Sequence, residues 1–485
     1  MLDRIGRRSN RFVLIALCSV VAASCTLGPD YKRPVVQTPS SYRGAAATDA
    51  GAASLADTKW FDLFQDPTLT QLVTTALKQN FDLHIAAERV LQARALFRIQ
   101  RSEQFPSVDA SAGVVQTRIP TVGGNNASIP VTVDRDFGYA QAGFSLGWEL
   151  DVWGRLRRLT ESARAQYFAT EEAQRGVVTT LVADVTDAYL ALRALDLELA
   201  IARRTQQIAT DSLRLTQTRF DRGIATQLDV QQAEQLLRIA GVQIAGIERD
   251  IAQTENALSL LLGQVPGDVP RGLELEAFKL PPTVPAGLPA TLLERRPDIR
   301  QAEQELIAAN ARIGAAKAEY FPKISLTGVF GLQSQALGDL LTGAATNWTL
   351  AATAAAPIFN AGRTGANVRF TEAVQRELVV NYQKTIYTAL REVSDSLAGY
   401  HKTNDQRTEQ ERLVEALRNS TRLSTERYQG GVDTYLQVLD AQRNLFEGEL
   451  DLARLRQLQL SSLVQLYRAL GGGWDPAAVK KDTTN

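Results

Sequence analysis

The chain holds two histidines, His84 and His401, and two cysteines, Cys18 and Cys25. The histidines lie in opposite halves of the sequence, so no paired-His zinc motif can be written and no imidazole base has a partner nearby. Cys18 sits in an apolar leader. Cys25 follows Ala22-Ala23-Ser24. Small residues directly before a cysteine suit a lipoprotein signal peptidase, which leaves that cysteine as an acylated N-terminus. Ala22 stands where such sites usually carry Leu, and the alternative is an ordinary secretory leader with an incidental cysteine. After acylation no free thiol remains for a disulfide, a metal or a nucleophile. Glu149 and Asp151 are two carboxylates with acid/base spacing. They end an alternating segment between Trp148 and Trp153, which suits a barrel rim with an aromatic girdle better than a catalytic pair. No nucleophile–base, metal or phosphate-loop pattern occurs elsewhere, so neither an enzyme nor a cofactor is expected, apart from a covalent lipid on Cys25. Lys plus Arg, 53, balances Asp plus Glu, 53, which leaves no basic excess for nucleic acid.

The leader carries Arg4, Arg7, Arg8 and Arg11 before an apolar run from Phe12 to Ala23. That run suits a signal sequence and is too short to span a bilayer. Residues 1–24 are read as a lipoprotein signal peptide. Each buried CH₂ of an acyl chain contributes ~0.8 kcal/mol, so two or three chains anchor firmly. Thr26 follows the cysteine; an Asp there often signals inner-membrane retention, so outer-membrane sorting is expected. Residues 25–59, with Pro29, Pro34 and Pro39, read as an extended tether, loose or lying on other structure.

Beyond residue 60 the sequence repeats. Arg219-Phe220-Asp221-Arg222-Gly223 returns as Arg427-Tyr428-Gln429-Gly430-Gly431, and Thr226, Leu228, Val230 and Ala233 return as Thr434, Leu436, Val438 and Ala441, all at an offset of 208 (427 − 219). Gly154-Arg155 meets Gly362-Arg363 at the same offset, and Phe105-Pro106 meets Phe321-Pro322 at 216 (321 − 105). So long a period is a duplicated domain rather than a solenoid. The halves are placed at 60–289 and 290–470, with 471–485 as a tail. Each is expected to run helix, two strands, very long helix, turn and returning helix. The first helices are predicted over 67–104 and 291–319. Residues 140–150 and 324–332 alternate with period two, and 107–116 and 346–356 do so more weakly; each suits a tilted membrane strand or a soluble sandwich edge. Residues 155–222 and 363–430 contain no proline, and at ~1.5 Å per residue each helix reaches roughly 100 Å. Leu181, Val185, Ala188, Leu192, Leu195, Leu199 and Ala202 form a coiled-coil seam. The second long helix shows this pattern poorly. The glycines at 223, 430 and 431 are expected to supply turn angles.

Four strands cannot close a barrel, and an open edge in hydrocarbon leaves backbone groups unpaired at several kcal/mol each. Twelve strands from three chains is the smallest count that leaves an aqueous lumen. The motifs that carry a resemblance are Gly28-Pro29-Asp30-Tyr31-Lys32-Arg33-Pro34, Trp60-Phe61 with Leu63-Phe64-Gln65-Asp66-Pro67, Trp148 to Arg155, Leu292 to Ile299, Pro357 to Arg363 and the two repeated turns. Together they resemble the TolC-like outer-membrane factors, and within them the lipidated efflux channels of the NodT/OprM type.

The resemblance implies an α+β membrane protein: a homotrimer whose 12-stranded outer-membrane β-barrel continues into a periplasmic α-helical barrel. A belt around 60–66, 263–290 and 471–485 is expected to surround it. The implied role is the exit channel of a tripartite efflux pump for drugs or metals, with a periplasmic adaptor and an inner-membrane RND-type pump as partners. By match to the family's tip, Leu436 and Asp440 face the pore as an apolar constriction and a carboxylate ring. Arg219, Gly223, Thr226, Asp229, Arg427, Tyr428, Gly431, Asp433 and Thr434 form the tip as latch or adaptor contacts. Solvated helix-end charges are the bland reading of each charged residue, as helix-start chemistry is for Arg295-Arg296-Pro297-Asp298. Two rivals stand beside the efflux reading: a duct for type I protein secretion, and a periplasmic coiled-coil scaffold without a pore.

Overall fold

The computed structural model describes residues 26–43, 54–55, 63–118, 136–279, 285, 287 and 289–472. The leader, Cys25, Trp60-Phe61, the Gly123-Gly124-Asn125-Asn126 loop and the tail from 473 lie outside them. The elements run α1 (Pro67–Gln79), α2 (Phe81–Ser102), β1 (Ser107–Arg118), β2 (Asp136–Leu150), α3 (Arg155–Asp221), α4 (Gln227–Leu261), α5 (Leu292–Arg295), α6 (Pro297–Ala318), β3 (Lys323–Ser334), β4 (Thr346–Ala355), α7 (Arg363–Gln429) and α8 (Tyr435–Ala469).

The duplication is plain in the backbone of the long helices. The bounds of α7 and α8 are those of α3 and α4 shifted by 208 (363 − 155, 469 − 261). Glycines with positive φ recur at the same offset: Gly154 and Gly362, Gly223 and Gly431, Gly263 and Gly471. Gly430 is not among them, so the second turn rests on Gly431 alone.

Contacts divide the chain into two units, each built from both repeats. The first takes residues up to Pro34, Leu91–Ala169 and Glu303–Asn381. It contains an antiparallel sheet of order β1-β2-β3-β4. The register puts Phe144 opposite Phe330, and Phe330 opposite Trp348. That face also carries Val108, Val114, Leu146, Leu326 and Leu350. The other face carries Ser107, Ser111, Gly143, Ser145, Thr327, Gly331, Thr349 and Thr353, with Val115, Phe137 and Val329 interspersed. Phe144, Phe330, Trp348 and Leu350 are 58%, 61%, 73% and 74% exposed. An apolar face left open, opposite one of mostly small and polar residues, is the two-solvent pattern of a membrane barrel. β1 and β4 are unpaired edges among the described residues.

Glu149 and Asp151 anchor the start of α3. Asp151 accepts from the backbone N–H of Leu156 and Arg157 at 3.0 and 2.8 Å, and Glu149 pairs with Arg155 at 2.8 Å. Trp148 donates its indole N–H to Gln104 O, and Trp153 to Pro322 O while stacking on Phe321 at 4.7 Å. The start of the tether lies on structure. Arg158 donates to the Leu27 carbonyl and to Asp30, Asn310 donates to Pro29 O, and Arg33 grips Glu303 with two bonds. A Cβ on Gly28 would fall 2.4 Å from Gly314 Cα, so glycine is required on both sides of that crossing.

The second unit takes Val35–Val90, Thr170–Ala302 and Tyr382 onward. The helix expected over 67–104 is broken at Asn80, whose ψ of 131° ends α1. Asn80 Oδ1 then accepts from Leu83 N and its amide donates to Leu261 O, so a side chain that competes with the backbone splits the helix. Of the expected seam on α3, Leu181, Val185, Leu192 and Ala202 are buried, within a broader buried surface. On α7 a seam does exist: Tyr382, Ile386, Ala389, Val393, Leu397, Tyr400 and Thr403 are each at most 5% exposed. Its steps are 4-3-4-4-3-3, and its Tyr and Thr members hide it from a search for aliphatic heptads. Among the described residues no helix is long and apolar enough to cross a membrane.

Candidate functional site

The two turns α3–α4 and α7–α8 lie in the second unit. Each is closed by the same bonds. Gly223 N–H donates to Phe220 O and Ile224 N–H to Arg219 O; Gly431 N–H donates to Tyr428 O and Val432 N–H to Arg427 O. The left-handed glycine after the last helical turn satisfies orphan carbonyls, at a backbone angle that a side chain would strain.

Beyond that shared frame the turns diverge. Thr226 and Asp229 form a reciprocal capping box on α4: Asp229 N–H donates to Thr226 Oγ1 at 3.2 Å, and Thr226 N–H to Asp229 Oδ2 at 2.8 Å. In the second turn the third position is Gln437, and Thr434 caps α8 with no side-chain bond. There the charge is spent differently. Arg427 holds Asp433 at 2.5 and 3.1 Å, and this hydrogen-bonded guanidinium keeps the Asp433 carboxyl below its usual range.

Arg219 reaches from the first turn to the second. Its guanidinium lies 4.8 Å from the Tyr428 ring centroid, within the ~6 Å reach of a cation–π contact. Tyr428 meets Tyr435 edge-on at 5.2 Å. These rings join Ala209, Ala233, Leu236, Val438 and Leu439 in one core cluster. Burial pushes the Tyr435 hydroxyl up to about 12. A groove of about 610 Å³ runs beside them, lined by Ile208, Ser212, Leu215, Thr421, Thr425 and Gln442 among others. Three buried polar atoms border it without a hydrogen-bond partner: Tyr428 Oη, Tyr435 Oη and Gln442 Oε1. Orphaned polar atoms beside a groove are the groups that a docking partner or ordered water satisfies.

Leu436 and Asp440 lie one turn apart on the exposed face of α8, where Leu436 is 51% exposed. Asn444 donates to Asp440 at 3.3 Å. Neither side chain joins the core cluster. The structure thus brings Arg219, Arg427, Tyr428 and Asp433 together, occupies Thr226 and Asp229 in a helix cap, and leaves Leu436 and Asp440 facing out from the chain.

Sequence reasoning missed three joints of the second unit. Asp66 is 1% exposed. It caps α1 through Thr68 N and Leu69 N, and accepts from Tyr189 OH at 2.9 Å and Leu273 N at 3.0 Å. The Asp-Pro dipeptide signals the cap, but nothing in sequence signals the tyrosine. Glu449 on α8 binds Arg204 of α3 and Arg418 of α7 at 2.5 and 2.8 Å, fastening three helices. Arg296, just before α6, binds Asp298, Glu392 and Ala469 O. Asp298 does occupy the first turn of α6, as its type suggests.

Comparison with known proteins agrees with this architecture. The family model described as outer membrane efflux protein matches residues 72–264 and 288–472. The solvent efflux pump outer membrane protein SrpC of Pseudomonas putida is 41% identical over 460 residues, covering 94% of this chain and 97% of that protein. The probable outer membrane lipoprotein SilC of Salmonella typhimurium is 35% identical over 472 residues, 96% of this chain and 99% of SilC. The open state of the MtrE outer membrane channel of Neisseria gonorrhoeae superposes with a TM-score of 0.82 at 30% identity, over 93% of this chain and 98% of MtrE. With the duplicated hairpins, the paired long helices and matches along both repeats, the chain belongs to the outer membrane efflux protein family.

Proposed function

We propose that the chain is the outer-membrane exit channel of a tripartite efflux pump of the RND type. It works as a homotrimer, anchored by lipid on Cys25, with a periplasmic adaptor and an inner-membrane pump as partners. The observation that carries the reading is the four-stranded sheet: one apolar face, one face of mostly small and polar residues, and, among the described residues, two open edges. Such a sheet is unstable in lipid until further strands close it, and three copies supply twelve. The role needs no catalysis and no cofactor from this chain.

In this reading Leu436 and Asp440 from three chains form the constriction and its carboxylate ring. Their exposure on one face of α8 supports that placement. Arg219 over Tyr428, and Arg427 with Asp433, brace the two turns against each other. The neighbouring groove, with its three orphaned polar atoms, is where the adaptor docks. SrpC belongs by name to a solvent pump, which supports small organic cargo as well as the drugs and metals the sequence suggests.

Cross-linking in intact cells, followed by mass spectrometry of what co-purifies, tests the proposal. An adaptor with a proton-driven pump is the expected outcome. An ATP-driven exporter in its place moves the protein to type I secretion. Recovery of neither partner, and no trimer, overturns the channel.

A further inference from the structure

The two hairpins share one register: Ser107 faces Gly147 in the first, and Lys323 faces Ala355 in the second. Equivalent residues are thus 216 apart in the first strands (323 − 107) and 208 apart in the second (355 − 147). One difference between the repeats falls on the face of mostly small and polar residues. Asp109 faces Ser145 in the first hairpin; its counterpart Ser325 (109 + 216) faces Thr353 in the second. A hydroxyl therefore suffices for the fold at this position, and the first repeat carries a carboxylate instead. Aspartate is depleted in strands. Asp109 is exposed and, among the described residues, is bound by no cation. A local preference broken without a compensating contact points to function.

The rest of that face is almost free of charge. Within the four strands it carries two other charged side chains, Glu149 and Lys323, both at the end of the sheet that joins α3 and α6. Glu149 is held by Arg155 at 2.8 Å. The row of Asp109 runs through Ser145, Val329 and Thr349 and offers no cation. At ~3.3 Å per residue, Lys323 lies about 20 Å along β3 from Val329. That exceeds the Debye length of about 8 Å at physiological salt, so Lys323 does not neutralise Asp109.

We propose that Asp109 sets the charge preference of the membrane barrel: three copies line its lumen with carboxylates and favour cationic over anionic cargo at the exit. The inference rests on the trimeric channel reading and names a cargo class for it. Strands ~4.8 Å apart and tilted by about 40° close, twelve together, into a wall about 24 Å across, so three copies of one residue stand roughly 20 Å apart at Cα. A ring this wide fills the lumen with its field only when screening is weak. The Debye length is about 30 Å at 0.01 M salt and about 3 Å at 1 M, so the preference is strong in dilute salt and absent in concentrated salt. An inward charge on an open edge strand can instead keep that edge from pairing wrongly; that role leaves ion selectivity untouched.

The test is the K⁺ over Cl⁻ permeability ratio of the full-length protein in planar bilayers, read from reversal potentials in KCl gradients near about 0.01 M and near about 1 M. Asp109→Ser takes the residue that the second repeat uses. It is compared with the parent, and the comparison is repeated with Asp440→Ala in both so that charge at the tip does not mask the barrel. Asp109→Ser is expected to lower the ratio about threefold in the dilute gradient and to leave it unchanged in the concentrated one. Asp109→Glu keeps the parent's ratio. Should Asp109→Ser fail to assemble, Asp109→Asn gives the same readout at nearly constant size. An unchanged ratio in dilute salt overturns the inference alone and assigns Asp109 to guarding the edge. A change that persists in concentrated salt, or an equal loss with Asp109→Glu, also overturns it, because the cause is then not the charge. A parent protein that forms no trimer, or no conducting channel, overturns it together with the channel reading.

Discussion

Charged residues that share one type do different work here, and their partners decide which. Asp229 closes a helix cap and Asp433 pairs with Arg427, whereas Asp440 stands exposed and accepts from Asn444. If three copies of Asp440 ring a pore, Asp440→Ala trimers in planar bilayers lose cation selectivity relative to the parent; unchanged selectivity removes Asp440 from the constriction. Asp187 illustrates the cost of burial. It accepts from Gln465 Nε2 at 2.5 Å while its Oδ1 is buried with no partner, and desolvation pushes its carboxyl up. A raised carboxyl contributes stability that is present at acid pH and is lost as pH rises through the raised value. Asp187→Asn is therefore expected to raise the thermal midpoint at about pH 7.5 and to change it little at about pH 4. Equal gains at both would show that charge is not the cause.

At the scale of elements, equal geometry hides unequal stabilisation. α4 and α8 have the same length and equivalent Thr caps, yet only Thr226 makes a side-chain cap bond. Thr226→Ala should cost about 1 kcal/mol in chemical denaturation, and Thr434→Ala a few tenths. Equal losses would mean that both caps act alike in solution. The long helices were legible because proline-free, turn-bounded stretches can only be helix at that length. The break at Asn80 was not, since Asn is neutral in a helix until a distant carbonyl, here Leu261 O, engages its amide. The α7 seam escaped for a related reason. Tyr382, Tyr400 and Thr403 are amphipathic, and only packing shows which end of each is buried.

For the assembled molecule the sheet faces make the sharpest prediction. Phe330→Arg puts a charge on the apolar face, where near the bilayer midplane it costs about 2–4 kcal/mol, and it should abolish heat-resistant trimers in the outer-membrane fraction. Thr327→Arg, on the opposite face, should leave trimers intact and shift conductance. Intact trimers from Phe330→Arg would take the sheet out of the membrane and favour the scaffold reading. The sequence alone determined the duplication, the alternation of the strands, the length of the helices and the positions of the turn glycines, because each is a local pattern that the backbone must obey. The tertiary structure decided the shared register of the two hairpins, the bridging roles of Asp66, Arg296 and Glu449, and the contact of Arg219 with Tyr428. These depend on groups far apart in the chain, whose pairing is set by packing and desolvation rather than by any spacing along it.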